Sequence, residues 1–112
     1  MTTTLEIDSA DALTAVRGDE IGALVLFTSP DCSVCRVIRP LLAELVSERF
    51  PRLQFATVDA GDHPELAAQE GIFSFPTVIA YLDGRETLRR SRSFGIGEIA
   101  DALDRPYHLL TG

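Results

Sequence analysis

The sequence predicts one α/β domain over residues 1–112, in which a central mixed β-sheet is flanked by helices. Three observations support this fold class. Apolar segments typical of buried strands alternate with segments of helical periodicity, and a two-residue hairpin signal joins the last two strands. The chain has 112 residues, of which 46% are hydrophobic, so it can bury one core without disulfide staples.

The first half of the chain predicts a helix, a strand and a second helix. Ser9 can cap a short helix over Ala10–Arg17. Residues 23–27 are apolar at every position, which is typical of a strand covered on both faces. From residue 32 to about residue 47, apolar residues recur at helical spacing, and Pro40 within this segment predicts a kink.

The middle of the chain predicts a strand over residues 53–58 and a third helix. Asp62 is positioned to cap this helix, and Pro64 to lie in its first turn, where a backbone N–H is not needed. The helix is expected to end near Gly71, because glycine often follows the last helical residue.

The last third of the chain predicts a hairpin followed by a closing helix. Thr77–Leu82 has the pattern of a strand, Asp83-Gly84 is a strong two-residue turn signal, and residues 86–92 form the returning strand. Apolar residues at helical spacing then predict a helix over residues 96–103, which Pro106 is expected to stop. Together the elements predict a mixed sheet with helices on both faces.

The charge balance excludes some classes of partner. Seventeen acidic residues against ten basic ones give a formal net charge of −7, which repels nucleic acid and anionic lipid. The longest apolar run is far shorter than a membrane span. The N-terminus carries no secretory signal, so the expected compartment is the cytoplasm. The sequence therefore predicts no nucleic-acid and no membrane partner.

Four arginines close together are a local exception to the acidic balance. They lie within R-E-T-L-R-R-S-R-S, which coincides with the returning strand of the hairpin. Charges on an edge strand discourage pairing with other sheets, which is the simpler interpretation, and a docking patch for a partner is the alternative. The four residues are Arg85, Arg89, Arg90 and Arg92.

The two cysteines of the chain, Cys32 and Cys35, lie between a predicted buried strand and a helix. This is the carboxyl edge of the sheet, where α/β folds place their sites. The positive end of the helix favours a thiolate there, and a spacing of three residues brings both sulfurs to one face. The outer thiolate of Cys32 can then attack a disulfide, and Cys35, one turn deeper, can resolve the mixed disulfide.

Three other interpretations of the cysteine pair stay open. A zinc site needs four ligands, but there is no second pair and the histidines, His63 and His108, are distant in sequence. A structural disulfide is unusual in a cytosolic chain and would close only a small loop. Two buried free cysteines are the third alternative, although a helix tip is a poor place to bury Cys32. Redox exchange is the favoured interpretation, with no metal and no cofactor.

Most of the chain, from about residue 23 to about residue 103, resembles thioredoxin. The resemblance rests on the strand A-L-V-L-F, the C-x-x-C pair, Pro40 in the following helix and the segment F-P-T-V-I-A-Y-L-D-G-R-E. Glutaredoxin is a less suitable match, because its glycine pair after the proline-bearing strand is absent. The resemblance implies a thioredoxin fold with the element order β-α-β-α-β-α-β-β-α.

The resemblance also implies roles for the site residues. Cys32 is the implied nucleophile, Cys35 the implied resolving thiol, and Pro76 an implied cis residue packed beside them. From the residues alone, Pro76 can also mark the start of a strand. In the family, the backbone next to this proline pairs with an extended substrate segment. The implied substrate-contact residues are Phe75, Pro76, Thr77, Ser33 and Val34.

The partners implied by the resemblance are protein disulfide substrates, or one dedicated partner, and a thioredoxin reductase-type electron donor. The sequence departs from the family pattern at three places near the cysteines. Asp31 stands where thioredoxins have tryptophan, Ser33-Val34 replaces Gly-Pro, and Leu26 replaces a buried aspartate. A basic residue is kept after the second cysteine as Arg36.

Asp31 and Arg36 are the candidates for tuning the thiolate. Asp31 opposes a thiolate on Cys32 by like charge, whereas Arg36 and the helix end favour it. Asp31 is also a good N-cap for a helix that begins at Cys32, so one side chain can serve both purposes.

The sequence is consistent with two alternative functions, an enzymatic one and a binding one. The first is a thiol–disulfide oxidoreductase that works through the Cys32–Cys35 pair. The second is a binding module that keeps the fold and uses its groove and arginine cluster for a partner, with little or no redox activity. Leu26 and the absence of tryptophan favour the second, whereas intact Cys32, Cys35 and Pro76 favour the first more strongly.

Overall fold

The computed structural model describes residues 4–112, and its elements follow the predicted order of strands and helices. The strands are β1 (Thr4–Glu6), β2 (Gly22–Thr28), β3 (Gln54–Asp59), β4 (Thr77–Leu82) and β5 (Arg85–Ser91). The helices are α1 (Ala10–Arg17), α2 (Ser33–Arg49), α3 (Pro64–Gln69) and α4 (Ile96–Thr111). None of the helices in this part of the chain is long and apolar enough to cross a membrane.

The strands form one five-stranded mixed sheet in the order β1-β3-β2-β4-β5. The middle strand, β2, runs parallel to β3 and antiparallel to β4, and its Val25 lies opposite Ala56 on one side and Ile79 on the other. Every β2 residue from Gly22 to Phe27 is buried. This burial follows from helices on both faces of the sheet, and the predicted mixed sheet is confirmed.

Two hydrophobic cores lie on opposite faces of the sheet. Because side chains alternate along a strand, Leu24 and Leu26 of β2 belong to one core, and Val25 and Phe27 to the other. The helical residues of the first core come from α2 and α4 and are Ile38, Leu42, Leu45, Val46, Ile99, Ala100, Leu103 and Tyr107. Those of the second core come from α1 and α3 and are Leu13, Val16, Leu66 and Ala67.

The turn between β4 and β5 has the geometry that its sequence predicts. Asp83 and Gly84 both have positive φ, 54° and 75°, which is the requirement of the tight turns that suit the twist of a hairpin. The returning strand begins directly after them, at Arg85, one residue earlier than predicted.

The closing helix does not stop at Pro106, contrary to the prediction. It continues to Thr111, although an interior proline removes a backbone hydrogen bond and costs about 3 kcal/mol. The next residue explains the continuation. The Tyr107 ring packs edge-on against Phe50 with the centroids 5.0 Å apart, and its hydroxyl accepts the N–H of Arg52 at 3.1 Å. Tertiary packing therefore outweighs the local signal of the proline.

Asp62 is not the cap of α3, which corrects a second prediction. The N-cap is His63, whose side chain makes no capping hydrogen bond. The His63 N–H donates to the carbonyl of Asp59 at 2.9 Å, so a backbone turn after β3 leads into the helix. Pro64 is its first residue, as predicted, and the helix ends shortly before Gly71.

The strand β5 lies at an edge of the sheet and carries Arg85, Arg89 and Arg90, whereas Arg92 follows its last residue. Arg89 donates to the Glu86 carboxylate at 2.8 Å and to the carbonyl of Glu70 at 2.8 Å. The hydrogen bond from Arg89 holds the pKa of Glu86 below its ordinary value. Arg90 donates to Glu98 at 2.6 Å. Two of the four arginines are therefore paired with carboxylates of the chain itself.

Candidate active site

The turn between β2 and α2 positions the first cysteine. The Cys32 N–H donates to the carbonyl of Ser29 at 3.2 Å, which closes the turn. Cys32 has an extended backbone with φ −92° and ψ 96°, and it is the N-cap residue of α2. Its sulfur accepts the N–H of Cys35 at 3.2 Å. The outer sulfur therefore lies at the positive end of a 17-residue helix.

Asp31 is not the N-cap that the sequence suggests. The helix begins at Ser33, one residue later than predicted, so the capping position falls on Cys32. Asp31 and Arg36 are both exposed, and the Arg36 guanidinium donates to the carbonyl of Pro30 at 3.2 Å. The cysteine pair is thus flanked in the chain by opposite charges.

The two cysteines form a disulfide, with their Cα atoms 5.3 Å apart. Cys35 is buried, with 3% of its surface exposed, whereas Cys32 is half-buried. The predicted order of depth is therefore confirmed. Between them, Ser33 and Val34 are exposed, and 53% of the Val34 surface is open to solvent. An approaching molecule thus meets Cys32 and these two side chains before Cys35.

Residues 75–77, called the proline segment below, lie at the same edge of the sheet as the turn that leads to Cys32. Thr77 pairs with Phe27 across β4 and β2, so Pro76 lies next to the end of the strand that leads to Cys32. The Phe75–Pro76 peptide bond is cis. Pro76 is buried and Phe75 half-buried. The structure therefore brings the proline segment to the end of the sheet where the disulfide lies.

Thr77 differs from the other substrate-contact candidates in its burial. It is 1% exposed, and its hydroxyl donates to the carbonyl of Ser74 at 2.8 Å and contacts the hydroxyl of Ser91 at 3.0 Å. Its side chain thus holds the proline segment against β5. A contact from Thr77 to a substrate would have to involve its backbone.

A shallow cavity opens beside the disulfide and is called the cysteine cavity below. Its volume is about 300 Å³. It is lined by Thr28, Ser29, Pro30, Cys32, Cys35, Arg36, Arg39 and Asp59. Sequence reasoning missed Arg39 and Asp59 as members of this site. Asp59 ends β3, next to the end of β2, so the signal for it was a polar residue at the carboxyl edge of two parallel strands.

Leu26 is fully buried and belongs to the core that α2 and α4 cover. It packs in the same cluster as Ile38 and Leu42, so this position supplies no proton acceptor to the cysteines. Within residues 4–112, no three His, Cys, Asp or Glu side chains are grouped so that they could hold a metal ion. The chemical groups assembled at the disulfide are thus two sulfurs, two guanidiniums, hydroxyls and one carboxylate.

Comparisons with known proteins agree with this geometry. The family model described as thioredoxin matches residues 4–104. A thioredoxin-like protein of Bacillus subtilis, YdfQ, is 29% identical over 90 residues, which cover 80% of each chain. A thioredoxin of Mycobacterium tuberculosis is 31% identical over 86 residues, which cover 77% of this chain and 74% of that one.

A solved thioredoxin structure from Malassezia sympodialis superposes with a TM-score of 0.81. The alignment covers 95% of this chain and 93% of that one, at 19% sequence identity, so it bears on the fold alone.

Proposed function

The chain belongs to the thioredoxin family and carries a disulfide-forming cysteine pair, and on this premise we propose that it reduces protein disulfides. Cys32 is the attacking sulfur in this proposal and Cys35 the resolving sulfur. A thioredoxin reductase-type enzyme is the proposed electron donor, and the cytoplasm the proposed compartment.

The observation that carries the proposal is the unequal depth of two bonded sulfurs. Cys32 is half-buried at the N-terminus of α2, whereas Cys35 is 3% exposed. A substrate disulfide can therefore reach Cys32, and the helix end together with the Cys35 N–H stabilises negative charge on its sulfur. A structural disulfide would not need one sulfur at an open helix tip.

The reaction follows from this arrangement. In the reduced protein, the Cys32 thiolate attacks a substrate disulfide and releases the first substrate thiol. The Cys35 thiolate then attacks Cys32, so that the Cys32–Cys35 bond forms and the second substrate thiol leaves. Two electrons pass from the cysteine pair to the substrate, and the electron donor restores the dithiol.

The substrate segment is proposed to lie across the exposed turn of α2 and the proline segment. Ser33 and Val34 offer exposed side chains beside Cys32, and Phe75 is half-buried next to Pro76. An extended backbone can pair with the chain at this end of the sheet, as in strand addition.

The binding-module alternative has less support. It requires the arginine cluster to meet a partner, but Arg89 and Arg90 already bind Glu86 and Glu98 within the chain. It also gives no reason for a disulfide at the open end of a helix.

The test uses Cys35→Ser, with Cys32→Ser as the matched control. Each reduced variant is incubated with a purified protein that has an exposed disulfide, and the products are separated without reductant. We expect Cys35→Ser to accumulate a mixed disulfide between Cys32 and the substrate, which a small dithiol cleaves. Cys32→Ser should accumulate none. Wild-type protein should reduce the substrate with that dithiol as electron source. Failure of reduction by the wild type, or equal trapping by both variants, would contradict the proposal.

A further inference from the structure

We propose that Asp59 accepts, through water in the cysteine cavity, the proton that Cys35 must lose before it attacks. This inference rests on the proposed function and names a further residue for its second step. A thiol is a poor nucleophile until it becomes a thiolate. Cys35 is 3% exposed, so its proton needs an acceptor near the buried sulfur.

The lining of the cysteine cavity identifies the acceptor. Among the described residues around this cavity, Asp59 supplies the carboxylate. The position of Leu26, in the core under α2, cannot take a proton. Asp59 reaches the cavity because β3 lies beside β2, with Asp59 opposite Thr28 in the parallel register.

The backbone around Asp59 holds its carboxylate in place. Its Oδ1 accepts the N–H of Gly61 at 2.8 Å, and the N–H of Ala60 donates to the carbonyl of Thr28 at 2.7 Å. Gly61 packs so closely against Pro30 that a side chain at Gly61 would collide with the proline ring. The turn that carries Asp59 is therefore fixed against the turn that leads to Cys32.

The cavity has the size and polarity that water requires. Its volume is about 300 Å³, against roughly 30 Å³ for one water molecule in the liquid. Hydroxyl, guanidinium and carboxylate groups line it, and these can hydrogen-bond to water that links the Cys35 sulfur to Asp59.

Charged side chains line both of the cavities that Asp59 borders. Arg36 and Arg39 of α2 line the cysteine cavity and place positive charge beside the developing thiolate. A neighbouring cavity of about 260 Å³ shares Thr28, Arg39 and Asp59 with it. The other charged or titratable side chains of that neighbouring cavity are Glu6, Asp8, Asp62 and His63. These four do not line the cysteine cavity, so Asp59 is the carboxylate that shares this cavity with Cys35.

The resolving step consists of one proton transfer and one thiol–disulfide exchange. The Cys35 S–H bond breaks, and its proton passes through water to the Asp59 carboxylate. The Cys35 thiolate attacks Cys32 of the mixed disulfide, so the Cys32–Cys35 bond forms and the bond to the substrate sulfur breaks. The substrate leaves as a thiolate that takes a proton from solvent, and Asp59 returns its proton to solvent.

The experiment separates the two steps of exchange. Reduced protein in excess is mixed rapidly with an aromatic disulfide whose thiolate absorbs visible light. The first release of thiolate reports attack by Cys32, and the second reports attack by Cys35. Asp59→Asn keeps an oxygen that can accept the Gly61 N–H, and Asp62→Asn is the matched control outside the cysteine cavity.

At neutral and acidic pH, we expect Asp59→Asn to slow the second release of thiolate on the order of 100-fold. This factor is the lower limit of what a general base contributes. The first release should be unchanged, and Asp62→Asn should behave as wild type in both. The loss should vanish at alkaline pH, where hydroxide deprotonates Cys35 directly. A purely structural role of Asp59 would instead slow both releases at every pH.

Two outcomes would overturn the inference. The second release could be equal in Asp59→Asn and wild type, or it could be faster in the variant at every pH because the carboxylate only repels the thiolate. Either result leaves the proposed function intact, provided that the wild type shows both releases. If the wild type shows no second release, the proposed function itself fails.

Discussion

Cys32 serves both the structure and the proposed chemistry with the same atom. Its sulfur accepts the N–H of Cys35 and is bonded to the Cys35 sulfur. When the disulfide opens, a Cys32 thiolate can keep accepting the same N–H, and more strongly, because it is charged. We therefore expect the first turn of α2 to stay capped when the disulfide is reduced.

A pair of substitutions at this residue tests the cap. Neither Cys32→Ser nor Cys32→Ala can form the disulfide, so their difference isolates the capping hydrogen bond. We expect Cys32→Ser to have the larger free energy of unfolding by about 1 kcal/mol, because its hydroxyl can accept the Cys35 N–H. Equilibrium unfolding in denaturant measures this, with Ser33→Ala as a control one residue away. Equal stability of the Ser and Ala variants would contradict the capping role.

The location of the cysteine pair could be predicted because its signals are local. An apolar strand, a turn and a helical period lie within about twenty residues of one another. Asp59 could not be assigned in the same way. Its approach to Cys35 depends on β3 lying parallel to β2 in one register, and no short segment contains that information. Arg39, four residues after Cys35 on α2, was within reach of a helical-spacing argument. The sequence predicts the cap one residue too early, because aspartate is a preferred N-cap residue and cysteine is not.

Helix α4 shows how packing between elements changes a local rule. Pro106 predicts an end to the helix, but the buried Tyr107 packs on Phe50 and fixes the turns that follow the proline. The hairpin shows the opposite case. Its Asp83-Gly84 signal was sufficient, since the positive φ that the turn needs is a property of those two residues alone.

Replacing Pro106 is expected to stabilise the protein. Pro106→Ala restores a backbone N–H that can donate within the helix, which stabilises the folded state. The unfolded chain becomes more flexible without the proline, which offsets part of this gain. The free energy of unfolding should therefore rise by about 2 kcal/mol. Denaturant titration of wild type and variant provides the measurement. Tyr107→Ala is the matched comparison and should lower stability, because it removes the contact with Phe50. A Pro106→Ala variant less stable than wild type would show that α4 requires the proline.

At the scale of the molecule, the alternation of strands and helices predicts a mixed sheet covered on both faces, and the two cores agree with it. Strands alternate with helices up to the hairpin, and a right-handed crossover rule leaves few arrangements for such a chain. A polar network then ties separate elements together. The Tyr81 hydroxyl donates to the Glu70 carboxylate at 3.1 Å, and Arg17 donates to the same carboxylate at 2.9 Å. No sequence pattern indicated this network, because its members lie on different elements.

This network predicts how stability changes in alkali. Burial, reinforced by the Glu70 carboxylate, raises the pKa of Tyr81 above its ordinary value of 10.0. A group whose pKa is raised in the folded state contributes stability below its unfolded pKa, and that contribution is lost as the pH rises further. We therefore expect the thermal midpoint to fall above pH 10.0, and to fall less in Tyr81→Phe. Thermal melts of wild type and Tyr81→Phe across this pH range measure the difference, and an equal decline in both would contradict the prediction.

The two edge strands of the sheet affect where another chain can pair with this protein. An open strand edge is a template for pairing with extended segments of other chains. Here β1 offers a three-residue edge, and the opposite edge, β5, has arginines along its length. Both edges therefore disfavour the addition of an extended chain. This leaves the end of the sheet at the disulfide as the place where we expect an extended substrate segment to bind.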